Sequence, residues 1–211
     1  MKKIMMIAAM MIAAISANAQ NEVGQFTLQP KVGMNLAKIT NTSQNGNDGT
    51  FKIDFAAGIE AEYGIAEKFS LAAGVLYSRQ GVSFGDYEYY INQGSPIGIN
   101  GLKDNLDYIN IPIVANYYLA PGFAIKAGIQ PAFLLGAKMK GDGVNQPDVD
   151  ADFKDACNTF DLSIPVGLSY EINNVVIDAR YNFGLTKINK DGDDSNKNSV
   201  IQFTLGYKFA L

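Results

Sequence analysis

The chain has 211 residues, a formal charge of −4 from 17 basic and 21 acidic side chains, no histidine and one cysteine. An acidic balance excludes nucleic-acid binding through a basic face, the lack of histidine excludes catalysis built on an imidazole base, and a lone Cys157 excludes an internal disulfide.

The N-terminus reads as an export signal. Lys2 and Lys3 precede an uncharged apolar run over residues 4–15, and Ala17-Asn18-Ala19 supplies a small-x-small cleavage site. The expected division is therefore a signal peptide at 1–19 and one domain at 20–211. Cleavage removes two lysines and no acid, which moves the formal charge from −4 to −6. Nothing after residue 20 is apolar for long enough to cross a membrane as a helix.

From residue 25 onward one kind of segment recurs about eight times, with a period of two. Residues 25–38 set Phe26, Leu28, Pro30, Val32, Met34 and Leu36 against Thr27, Gln29, Lys31, Gly33 and Asn35. Residues 51–63 set Phe51, Ile53, Phe55, Ile59 and Tyr63 against Lys52, Asp54, Glu60 and Glu62. A third segment over 69–78 leads into a Gly-, Asn- and Tyr-rich excursion at 81–103, read as a long loop carrying Tyr87, Tyr89 and Tyr90. The fourth (108–118) and fifth (123–135) flank a tight turn at Ala120-Pro121-Gly122. Residues 138–156 read as a loop, with Cys157 a free thiol at its end. The sixth (160–170) and seventh (175–186) meet at Asn173-Asn174. A polar stretch at 189–198 contains Asp191, Asp193 and Asp194; calcium favours such carboxylates, but the rest of a calcium loop is missing. The last segment alternates from Ile201 to Leu211.

This pattern predicts an all-β fold, an eight-stranded antiparallel up-and-down transmembrane β-barrel. Long and short connections alternate, so long extracellular loops and short periplasmic turns are expected. The competing architecture is a soluble lipocalin-like barrel with its apolar face inward around a ligand. Two features favour the membrane. The polar face carries few large apolar side chains, and Tyr63, Phe69, Tyr117, Phe123, Tyr170 and Phe209 fall at one level beside the short turns, like an interfacial girdle. The polar face then points inward and brings charges with it, among them Lys31, Glu60, Lys126, Asp178, Arg180 and Lys208. Such charges must pair or be hydrated. Counting along the strands places Lys31 near Glu60 and Asp178 opposite Lys208. In so narrow a barrel they are read as a structural plug rather than the lining of a pore.

Several segments resemble a known family. Residues 106–113 (Leu-Asp-Tyr-Ile-Asn-Ile-Pro-Ile) through Tyr117-Tyr118, Pro165-Val166-Gly167-Leu168-Ser169-Tyr170-Glu171, Tyr181-Asn182-Phe183-Gly184-Leu185 and Leu205-Gly206-Tyr207-Lys208-Phe209 look like the "porin family" outer-membrane β-barrels common in Bacteroidota. The resemblance implies a barrel similar to the small outer-membrane proteins A and X. It also implies that Gly206, Tyr207 and Phe209 match the terminal signal read by the barrel-assembly machinery, although the chain runs on through Ala210-Leu211. The expected partners are outer-membrane lipid and that machinery, with no nucleic acid, cofactor, metal or catalytic residue, and a monomeric state. The expected role is structural or surface-interacting. The alternatives are a narrow diffusion pore, an adhesin acting through its loops, and the lipocalin-like binder.

Overall fold

The structure, a computed structural model, describes residues 23–41, 43–44, 47–89, 97–190 and 196–211. Eight strands form the wall: β1 (Phe26–Ile39), β2 (Lys52–Ala66), β3 (Phe69–Tyr89), β4 (Ile97–Asn110, resuming as Ile113–Ala120), β5 (Phe123–Val144), β6 (Phe160–Ile172), β7 (Val175–Gly184) and β8 (Asn198–Tyr207, resuming as Phe209–Ala210). Each pairs antiparallel with its chain neighbours. β8 returns to β1 from Lys31↔Gly206 through Ile39↔Asn198, so the sheet closes on itself and the ring keeps no open edge.

Three of the connections are two-residue turns, at Glu67-Lys68, Pro121-Gly122 and Asn173-Asn174. Asn173 and Asn174 both take positive φ, 48° and 70°, as a twist-matched hairpin turn requires and as Asn tolerates better than most residues. All three lie at one end of the barrel, and the longer connections lie at the other.

On that longer side the strands outrun the expected boundaries. The excursion at 81–103 is mostly sheet, with β3 and β4 paired as far as Tyr89↔Ile97. Its register slips at Gly85, which has φ 70°. Slips of this kind break a period of two, so a continuous strand reads as loop. Likewise β5 runs to Val144, and Val149–Asp152 folds back on it as a short extra strand. The fourth segment, by contrast, is interrupted at Ile111-Pro112, because Pro112 has no N–H to give the ladder. The break is bridged by Gly74 N–H to the Pro112 carbonyl (3.0 Å) and Ile111 N–H to the Pro131 carbonyl (2.8 Å).

The apolar face points outward: Ile53 is 70% exposed and Val32 61%, while Lys31 and Glu60 are each 2% exposed. That sense is the reverse of a lipocalin, and soluble monomers rarely keep so large an apolar surface in water. At the short-turn end the aromatics meet as direct cross-strand pairs, Phe26↔Tyr63, Phe69↔Tyr117 and Phe123↔Tyr170. A second aromatic level lies on the far side, where Phe133 packs edge-on against Phe160 (5.8 Å) and Phe55 lies tilted against Tyr77 (5.4 Å). From the Phe123↔Tyr170 pair to Phe133↔Phe160 is ten residues along both strands. At about 3.3 Å per residue and a tilt of about 40°, that is about 25 Å along the barrel axis, the height of an apolar membrane band.

Candidate functional site

The site is the lumen, where every wall strand directs alternate side chains inward. Its centre is a five-residue ion-pair network drawn from four strands. Arg180 on β7 grips both carboxylates: Nε donates to Asp178 Oδ1 (2.8 Å), and Nη2 donates to both Glu60 oxygens (2.9 Å each). Lys31 on β1 donates to Glu60 (3.0 Å), and Lys126 on β5 donates to Asp178 (2.7 Å). No side chain of the five is more than 4% exposed. The guanidinium fits because Gly167 faces it across the β6–β7 pair; a Cβ there would lie 2.2 Å from the Ala179 carbonyl oxygen and 3.0 Å from Arg180 Cγ.

Toward the short turns lies a second cluster. Glu62 accepts from Ser70, from Asn116 (3.1 Å) and from Tyr118 (2.5 Å), and Lys208 bridges Glu62 (3.1 Å) and Glu171 (2.7 Å). Lys208 is therefore not the partner of Asp178. The β7–β8 register sets Asp178 opposite Thr204, four residues short of Lys208. The strands are joined by the long connection 185–197, from which a register cannot be counted as it can from a tight turn. The two clusters complement each other in charge. The central one holds three cations and two carboxylates, and the lower one holds one cation and two carboxylates.

Above the centre, Asn35 binds Ser78 (2.9 Å) and Gln202 (2.9 Å), and Lys52 pairs with Asp54 (2.6 Å). The long-connection end is apolar. Val82, Phe84, Leu102, Leu106, Leu134 and Ile188 pack together with Tyr108 and Cys157. This corrects the expectation of an inner face poor in large apolar groups: Val82, Phe84 and Leu102 lie in the parts of β3 and β4 whose broken period reads as loop. Burial pushes the Cys157 thiol up to about 11, which makes it an inert packing group. On the outer wall, Arg79 pairs with Asp107 (2.7 Å), which also accepts from the Tyr77 hydroxyl (2.7 Å). This charged pair marks the far margin of the apolar band.

Asp104 borders the apolar cap, five residues beyond the aromatic level at Ile109↔Phe133. It is 8% exposed and its Oδ1 has no hydrogen-bond partner among the described residues. Burial raises its carboxyl to about 6, against an opposing pull from Lys52. Between roughly pH 4 and pH 6 the folded state keeps a proton that the unfolded chain gives up, so stability falls as pH rises through that window. Asp104→Asn is accordingly expected to stabilise the barrel by on the order of 1–3 kcal/mol above pH 6 and to leave it unchanged near pH 4. Urea midpoints in lipid vesicles at the two pH values measure the difference.

A Cβ at Gly206 would lie 2.2 Å from Gln29 Nε2, and the Tyr207 and Phe209 rings lie 4.8 Å apart on the closing strand. The backbone at Tyr87 and Tyr89 belongs to β3. Their side chains lie outside what the structure describes, as do Tyr90, Asp191, Asp193 and Asp194. Among the described residues no group of three or more His, Cys, Asp or Glu side chains is placed to hold a metal ion.

The model of the outer membrane protein beta-barrel domain matches residues 18–190. Among solved structures, the chain is similar to Ail, the attachment invasion locus protein of Yersinia pestis, in complex with the heparin analogue sucrose octasulfate (13% identity, covering 89% of this chain and 100% of that one, TM-score 0.49). It is also similar to Neisserial surface protein A (16%, 87% and 97%, TM-score 0.46) and to OprG from Pseudomonas aeruginosa (12%, 92% and 99%, TM-score 0.46). No curated protein matches the sequence. With the closed eight-strand ring and its outward apolar band, the family match places the protein in the outer membrane, and the chain belongs to the outer membrane protein beta-barrel domain family.

Proposed function

We propose that the protein is a sealed structural barrel of the cell envelope, with a side-chain-filled lumen and a surface-interaction role for its longer connections. In this reading residues 1–19 direct export, the longer connections are extracellular and the two-residue turns periplasmic, and the barrel is a monomer without catalytic activity. It is a member of the Bacteroidota "porin family" in sequence but not a solute pore. The observation that carries the reading is the filled lumen. The Lys31–Glu60–Lys126–Asp178–Arg180 network crosses it at mid-height, the Glu62–Lys208 cluster lies below, and an apolar cap lies above.

Reconstitution into planar bilayers tests it: the folded barrel is expected to give no stable single-channel steps, and sizeable steps would favour the narrow diffusion pore instead. Binding by the longer connections is best assayed by replacing residues 90–96 alone. Removing all of 81–103 would also delete Val82, Phe84 and Leu102 from the cap.

Gly206, Tyr207 and Phe209 are assigned to recognition by the barrel-assembly machinery. Phe209→Ala is expected to lower the amount of barrel in the outer membrane while leaving the stability of the barrel that does assemble within about 1 kcal/mol of the parent. Immunoblots of membrane fractions and urea titration of the purified variant separate the two effects.

A further inference from the structure

Directly above the central network, the lumen has a polar layer that the ion pairs do not use. On three strands the residue that enters the network is followed by glycine at the next inward position toward the long-connection end. Gly33 follows Lys31 on β1, Gly58 follows Glu60 on β2, and Gly128 follows Lys126 on β5. Those strands send no side chain into the layer. On β7 the corresponding position is Asn182, next above Arg180. Asn110 on β4 reaches the same level. The Tyr108 hydroxyl accepts from Asn198 across the lumen (3.2 Å), and Asn110 is one inward position below Tyr108. Asn182 stands opposite Val200, one inward position below Asn198. Asn110 is 1% exposed and Asn182 2%, and neither amide has a partner at Oδ1 or Nδ2 among the described residues. The same holds for Thr204 Oγ1, at the edge of the layer on β8, and for Arg180 Nη1. Arg180 meets Asp178 through Nε and Nη2, so Nη1, on the other edge of the guanidinium, is turned away from Asp178 and toward the layer.

We infer that this layer binds one small inorganic anion of the halide class. Buried polar side chains in native proteins almost always have a partner, and four groups here converge without one. Their N–H and O–H donors outnumber the amide oxygens, so the ligand is one that accepts. The network beneath holds three cations against two carboxylates and turns a guanidinium edge to the layer, which favours a negative charge and excludes a metal cation. Water also accepts, but it offsets none of that excess. The acids of the lower cluster, Glu62 and Glu171, lie on the far side of the network. The acid above, Asp161, is turned to Thr186 (2.6 Å) and Asn198 (3.4 Å). Floored by the network and roofed by the Tyr108–Asn198 bond, the layer has room for a monatomic ion and not for a substituted phosphate or a sugar acid. The anion there ties Arg180 to β4 as well as to β2, bracing the wall from inside.

The test uses the full barrel, refolded in chloride-free bromide so that the layer fills as the ring closes. Crystals of that form are expected to give one anomalous bromine peak inside the lumen, in contact with Arg180 Nη1 and the Asn110 and Asn182 amides. Urea unfolding in lipid vesicles gives a second readout, with chloride exchanged for gluconate at constant ionic strength. The folding constant of the parent is expected to rise about tenfold for each tenfold of chloride above half-saturation. Asn182→Asp keeps the shape of the amide but sets a carboxylate beside Nη1, and is expected to lose both the peak and the chloride dependence. Heat-modifiable gel migration verifies that this variant is folded, and the halide exchange on the parent decides the matter if it is not. Water alone in the layer, bromide only on surface lysines, or unfolding indifferent to chloride overturns the assignment, as does a chloride dependence that Asn182→Asp keeps in full. Neither readout depends on whether the lumen conducts, so channel steps in planar bilayers would count against the sealed barrel and leave the anion site to its own result.

Discussion

Asp178→Ala is expected to lower the stability of the folded barrel by about 3–5 kcal/mol, the penalty for removing one partner of a buried ion pair and stranding the other. Asp178 holds two of the other members of the central network, accepting from Lys126 at 2.7 Å and from Arg180 at 2.8 Å. Its loss leaves Lys31, Lys126 and Arg180 facing Glu60 alone, all within a lumen that excludes water from their side chains. Urea unfolding in lipid vesicles reads the effect. The double change Asp178→Ala with Lys126→Met should recover part of the loss, because it removes a stranded cation as well as its partner. If the single variant unfolds at the parent's midpoint, the network contributes nothing and the lumen must be hydrated enough to solvate free charges.

Gly33→Val is expected to be as damaging as the loss of a buried charge, by a different route. Gly33 lies on the inner side of β1, opposite Thr204 at the closing seam. A Cβ at that position would come within 1.9 Å of the Phe203 carbonyl oxygen and 2.7 Å of Thr204 Cα. Both are backbone atoms, so no rotamer change can relieve the contact; the seam itself must spread, at a cost of about 3 kcal/mol or more. The variant should fail to give the compact, heat-modifiable form on unboiled gels. Gly136→Val is the matched control, since its Cβ would meet nothing nearer than Asp107 Oδ2 at 3.8 Å. Equal folding of the two variants would show that the β1–β8 seam is looser than its register implies.

The wall is readable from the sequence because a membrane imposes one rule on every residue of a strand. Lipid on one side and a narrow lumen on the other force the strict alternation seen from Phe26 to Leu36 and from Ile201 to Leu211. That rule relaxes beyond the apolar band, and legibility falls away at the same place. Around Gly85 and Gly101, bulged pairs shift inside and outside by one residue, so Phe84, Leu102 and Leu106 show no period although they pack as one cluster. In the lumen, Lys31 and Glu60 can be brought together because β1 and β2 both bear unbroken patterns. The Lys208 partnership cannot, because it depends on a register set across the long connection 185–197. Glu171 and Tyr118, which complete that cluster, bear no mark in the sequence beyond their position on the inward face.

The unequal strands have a mechanical consequence. β3 continues for twelve residues past Tyr77, which lies at the second aromatic level, and β4 and β5 run alongside it. At about 3.3 Å per residue that is roughly 40 Å of hydrogen-bonded sheet along the strand, several times the depth of a headgroup layer. One side of the barrel rim thus stands up as a stiff mast while the opposite side, β7 and β8, stops near the membrane. Tyr89 and Ile97, the last pair of that ladder, are held at a fixed standoff from the lipid and off to one side. The reach of that pair is set by backbone pairing and not by the slack of a tether.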